Sequence, residues 1–190
     1  EFRRVLFRSV RDEQGTERAE VLCLDVRPYG FQEEILERLH AERILHGRWK
    51  NLVVAATGTG KTVIAAFDYK RTRPLLPTGS LLFVAHRAEI LQQSRSVFRS
   101  VLRDPAFGEL FVAGDRPQEG RHVFASVQSL ARVDLARIPP DAWDAVVVDE
   151  FHHAEAPTYR RLLEHLRPRL LVGLTATPER TDGLPILHWF

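Results

Sequence analysis

The sequence contains no methionine, one cysteine and three lysines, and each shortage narrows what the chain can be. A lone Cys23 excludes an internal disulfide and a cysteine-based zinc cluster, so it reads as a small buried hydrophobe. The lack of methionine, even at position 1, marks the chain as a piece of a longer product. No apolar run approaches the roughly 20 residues that a membrane-spanning helix needs, and no signal-peptide pattern occurs. A cytoplasmic protein without a membrane partner is the expectation. Of the 27 basic residues 24 are arginine, the lysines being Lys50, Lys61 and Lys70, yet the formal charge is only +2. That charge is too small to argue for nucleic acid by itself, and so general an arginine excess reads as coding bias.

What is present is the balance of one globular domain: 190 residues, 44% hydrophobic and 27% charged, enough to bury a core. Residues 1–20, arginine-heavy and then polar, read as an unstructured leader or the torn edge of an upstream segment. Folded structure is expected from about Val21 to residue 182. From there apolar strands alternate with helical periodicity. The strand candidates are Leu52–Ala55, Leu81–Ala85, Leu110–Val112, Val123–Ala125, Ala145–Val148 and Leu170–Leu174. Ile90, Leu91, Ser94, Val97, Phe98, Val101 and Leu102 share one face of a helix from about Arg87. Tyr159, Leu162, Leu163 and Leu166 do the same after Pro157, and a further helix runs from Gln32 to about His46. Runs such as Val146-Val147-Val148, apolar at every position, suit strands buried on both faces. The fold class is α/β, a mostly parallel central sheet with helices on both faces, and ligands of such sheets gather at the carboxyl ends of the strands.

Ala55-Ala56-Thr57-Gly58-Thr59-Gly60-Lys61-Thr62 follows the apolar run Leu52-Val53-Val54 and reads as a strand turning into a phosphate-binding loop. Gly58 and Gly60 let the backbone curl so that amide N–H groups face one anion, and a helix starting at Lys61 adds the positive end of its dipole. Lys61 would reach the β- and γ-phosphates of ATP, and Thr62 offers a hydroxyl to the accompanying Mg²⁺. Asp149-Glu150-Phe151-His152 follows Ala145–Val148, 88 residues beyond Lys61. Two adjacent carboxylates at the end of a buried strand need a cation. Asp149 would hold Mg²⁺, mostly through its water shell, and Glu150 would orient the attacking water and accept its proton. Thr175-Ala176-Thr177-Pro178 follows Leu170–Leu174, so its hydroxyls reach the same edge, within range of the carboxylates or His152. A guanine-specific Asn/Thr-Lys-x-Asp segment is absent.

These three segments, in this order and each after a strand, resemble the first motor domain of superfamily 2 helicases and translocases, and Asp149-Glu150-Phe151-His152 points to the DExH-type DEAD/DEAH-box members. The resemblance runs from about Arg27 to Arg180 and implies a RecA-like P-loop NTPase fold. It implies that Thr57, Gly58, Thr59, Gly60, Lys61 and Thr62 bind Mg-ATP, and that His152, Thr175 and Thr177 couple the ATP site to a second motor domain. Arg27-Pro28-Tyr29-Gly30-Phe31-Gln32 is similar to the adenine-recognising segment, which assigns base reading to Gln32. Phe83-Val84-Ala85-His86-Arg87 and Ser126-Val127-Gln128-Ser129-Leu130 stand where relatives line the nucleic-acid groove. Arg87, Ser126 and Gln128 are therefore candidates for backbone contacts, with DNA favoured over RNA as the track. The implied activity is that of an ATP-dependent helicase. A duplex translocase motor of a restriction or remodelling enzyme and an ATP-switched nucleic-acid-binding module remain the alternatives. Residues 183–190 read as the start of a linker to a second RecA-like domain that this chain lacks, so little activity is expected of it alone.

Overall fold

Side chains alternate across a strand, so a strand that is apolar at every position must be covered on both sides. Leu81, Phe83 and Ala85 join one buried cluster, while Leu82 and Val84 between them join another on the opposite face. The same split divides Ala145 and Val147 from Val146 and Val148. The computed structural model describes residues 7–11, 17–21, 26–112, 115–154, 156–177 and 187–190, the first two stretches by backbone alone.

In chain order the elements are β1 (Phe7–Arg11), β2 (Glu17–Val21), α1 (Gly30–His46), β3 (Lys50–Val54), α2 (Lys61–Thr72), β4 (Leu81–Ala85), α3 (Ala88–Leu102), β5 (Glu109–Phe111), β6 (His122–Ser126), α4 (Val127–Ala131), β7 (Ala145–Val148), α5 (Pro157–His165) and β8 (Leu170–Thr175). The strands β3 to β8 form one six-stranded sheet in the order β3-β8-β7-β4-β6-β5, with every pairing parallel. Helices α1, α2 and α3 cover one face through Leu36, Ile64, Tyr69, Leu91 and Phe98. Helices α4 and α5 cover the other through Leu130, Tyr159 and Leu162. The parallel sheet between two helical layers is the expected architecture.

Within the segment read as a leader or the torn edge of an upstream segment, β1 and β2 pair antiparallel as a separate two-stranded sheet. The register sets Arg8 opposite Glu20 and Arg11 opposite Glu17. Opposite charges facing across a ladder favour pairing, and a search for apolar periodicity does not detect them. Cys23, Pro178 and residues 183–186 lie outside the described residues.

Candidate active site

The strand order makes β3, β8 and β7 neighbours, so the segments leaving their carboxyl ends meet at one edge. Ala55, the first residue beyond β3, donates its N–H to the carbonyl of Thr175 at the end of β8, 3.0 Å away. The loop then curls through two left-handed residues, Gly58 at φ 83° and Gly60 at φ 76°. Only glycine adopts that conformation without strain. Thr57 is exposed at the turn. Thr59 closes the loop by donating its hydroxyl (2.7 Å) and its N–H (3.3 Å) to the Ala56 carbonyl. Helix α2 begins at Lys61 with no side chain capping its first turn, so its leading N–H groups are available to an anion. The Lys61 ammonium spans the loop, donating to the carbonyls of Ala55 (3.0 Å) and Ala56 (3.2 Å). Thr62 is half-buried in the first turn of α2.

Asp149 continues β7, its N–H bonded to the Val84 carbonyl at 2.9 Å. Its carboxylate accepts the Glu150 N–H at 2.9 Å. Burial pushes the Asp149 carboxyl above its ordinary range, and the charge of Glu150 adds to this, against the Glu150 N–H and the positive charge of Lys61. A carboxylate made costly by burial and lying in the field of Lys61 is chemically suited to a hard divalent cation. Glu150 is left-handed at φ 52°, ψ 50° without being glycine, a conformation that costs on the order of 1 kcal/mol or more and clusters at functional sites.

Phe151–His153 forms a 3-10 turn. From it the Nδ1 of His152 reaches the hydroxyl of Thr175 at 3.3 Å. That hydroxyl donates to the Thr177 carbonyl (2.7 Å) and accepts the Thr177 N–H (3.2 Å). Its single proton is thus committed, so the proton shared with His152 must sit on Nδ1, leaving Nε2 as an acceptor. Burial, and then the neighbouring His153, lower the pKa of His152 and favour this neutral ring. Thr175 is fully buried, and with His152 and Thr177 it forms one hydrogen-bonded link between β7 and β8.

Two of the expected site residues are engaged by other parts of the protein. Gln32 was expected to offer its amide to a base, but both ends are engaged by protein. Its Oε1 accepts the Tyr29 N–H and its Nε2 donates to the Thr59 carbonyl, each at 2.9 Å. It is the third residue of α1, where a glutamine reaches back to cap the helix, and it clamps the 55–62 loop from outside. Ser126 was expected to touch a nucleic-acid backbone. Its hydroxyl instead caps α4, accepting the Ser129 N–H at 3.1 Å and donating to the Ser129 hydroxyl at 2.8 Å, and the residue is buried. The other two candidates stay at the surface. Arg87 precedes α3 and is exposed, and the exposed Gln128 puts its amide nitrogen 3.1 Å from Nδ1 of His86. His86 was missed by sequence reasoning, although its place directly after β4 was the available signal.

Residues 25–180 match the family described as Type III restriction enzyme, res subunit. The chain belongs to that family. The protein named for a mitochondrial ATP-dependent helicase, irc3, of Schizosaccharomyces pombe (strain 972 / ATCC 24843) is 32% identical over 170 residues, 85% of this chain and 27% of that protein. The Type I restriction enzyme EcoAI endonuclease subunit of Escherichia coli is 28% identical over 166 residues, 78% of this chain and 19% of that protein. The chain therefore spans about a quarter or less of the length of these relatives. Among solved structures, the UvsW helicase from bacteriophage T4 superposes with a TM-score of 0.65 at 15% identity, covering 80% of this chain and 54% of that one. The res-subunit family places the chain among superfamily 2 motors, and its parallel sheet is the fold of their first RecA-like domain.

Proposed function

We propose that this chain is the ATP-binding domain, over about residues 21–182, of an ATP-dependent nucleic-acid motor of the DExH type that works in the cytoplasm. The observation that carries this reading is the adjacency of β3, β8 and β7, which brings Lys61, Thr62, Thr175, Asp149 and Glu150 to one sheet edge. Lys61 exchanges its bonds to Ala55 and Ala56 for the β- and γ-phosphates of ATP. Thr57, Gly58, Thr59 and Gly60 shape the cradle. Thr62 and Asp149 would hold Mg²⁺, which would neutralise phosphate charge. Glu150 takes the proton of the water that attacks the γ-phosphate. Gln32 acts on the loop through Thr59, and base reading by its amide requires release of that bond. His152, Thr175 and Thr177 relay the state of this site towards a second RecA-like domain of the natural protein, while Arg87 and Gln128 touch one nucleic-acid strand, DNA rather than RNA.

Glu150→Gln in the natural full-length protein tests the assignment. ATP binding, followed with a fluorescent analogue, should persist, while turnover falls by about 10²-fold or more, the usual contribution of a positioned general base. Unchanged turnover would remove Glu150 from the mechanism and leave a nucleotide-controlled binding module. The likeness to a restriction-enzyme subunit supports a second reading, a motor that tracks duplex DNA without separating its strands. A strand-displacement assay beside a triplex-displacement assay distinguishes the two.

A further inference from the structure

Gly173 stands in the middle of β8, paired with Leu52 on one side and Val148 on the other, in a strand buried at every position. Strand glycines are unfavourable unless something approaches the backbone closely. Here a Cβ would lie 2.7 Å from Cδ2 of Phe151 and 2.8 Å from Cζ of Phe190. Two aromatic rings therefore rest on bare β8 backbone, and they touch each other, centroids 4.8 Å apart and tilted by 53°. Phe151 is fully buried and sits between Glu150 and His152. Phe190 follows the short helical turn Leu187–Trp189, and with Trp189 it packs against the cluster containing Phe151.

On the reading that Glu150 activates water, we infer that Phe190 is a positioning residue for ATP hydrolysis. Seated on Phe151 over Gly173, its ring braces the turn that presents Glu150 and His152. Glu150 needs bracing because its left-handed backbone is unfavourable for a residue with a side chain. The Asp149 carboxylate holds the turn from the β7 side, and the ring pair holds it from β8. Phe190 lies beyond β8 in sequence, so a displacement of the 187–190 segment reaches the Glu150 turn through the contact of its ring with Phe151.

The test is steady-state ATP hydrolysis by the natural full-length protein at saturating nucleic acid, comparing wild type, Phe190→Ala, Phe190→Leu and Glu150→Gln. Phe190→Ala should lower kcat by about tenfold while the KM for ATP stays within about twofold, the pattern of a misplaced catalytic group rather than lost substrate binding. Phe190→Leu, which refills most of the volume, should restore most of kcat. Where Phe190→Ala melts below the assay temperature, Phe190→Val takes its place under the same criterion. A wild-type kcat in the truncated variant, a change confined to KM, or failure of leucine to rescue overturns the inference. A wild type that hydrolyses no ATP, or a Glu150→Gln variant as active as wild type, overturns instead the reading on which it rests.

Discussion

His122, the first residue of β6, is held as a neutral aromatic plate. Its ring stacks on Phe107 with centroids 4.4 Å apart, and its buried Nδ1 has no partner among the described residues. Burial, followed by the charges of Arg73 and Arg121, pushes its pKa from 6.5 down to about 4. A group depressed in the folded state contributes stability that is complete above its unfolded pKa and is lost as pH falls through the folded one. Between about 6.5 and about 4 the unfolded chain binds a proton that the folded chain refuses, so stability should drop across that window. His122→Phe keeps the stack and removes the titration. Urea melts at several pH values should show a flatter slope in that window for the variant, and an unchanged slope would show that other groups control it. The positions of Lys61, Asp149 and Glu150 just beyond β3 and β7 were legible in the sequence because each follows a short apolar run that ends there. The present engagement of Gln32 was not, since its partner Thr59 lies 27 residues away. The cap formed by Ser126 was not legible, because a serine before a five-residue helix serves as a cap as readily as a contact.

Helices α1 and α2 are joined by an ion pair that the sequence could not announce. Arg43 and Asp68 are both buried, the guanidinium forks onto the carboxylate, with one arm at 2.8 Å, and its Nε donates to the Asn51 side chain of β3 at 3.2 Å. Removing one partner of such a pair strands a buried charge and costs about 3–5 kcal/mol, whereas replacing both by apolar residues is often neutral. Arg43→Leu should therefore lower stability by roughly that amount, and Arg43→Leu with Asp68→Leu should recover most of it. A single variant as stable as wild type in chemical denaturation would contradict the buried pairing. Helix charges ordinarily face water, so nothing in the sequence sets Arg43 and Asp68 apart. The strands were the legible part: the continuous apolar runs at 81–85 and 145–148 coincide with β4 and β7, because burial on both faces leaves no polar position to blur the limits. The β1–β2 pair was illegible because neither segment carries an apolar run, and its register is fixed only by the fold.

At the scale of the molecule, the chain covers 27% and 19% of the two relatives compared with it, and the proposed ATP site draws all its groups from one sheet edge. Motors of this chemistry gain about 10³–10⁵ in rate from an arginine supplied across a cleft. This chain alone should therefore bind Mg-ATP yet release phosphate very slowly, and nucleic acid should accelerate it little. A phosphate-release assay on the 190-residue chain checks this, and vigorous stimulated turnover would show that no further domain is needed.

The sheet order has a mechanical consequence. The first strand of the large sheet, β3, lies parallel and hydrogen-bonded to its last strand, β8, over the register Lys50↔Leu171 to Val54↔Thr175. A pull between the chain entering β3 and the chain leaving β8 therefore loads that ladder in shear, so its bonds share the tension and cannot open one at a time like a zipper. A domain so wired can carry tension through its own backbone without unravelling at the edge from which the 55–62 loop leaves.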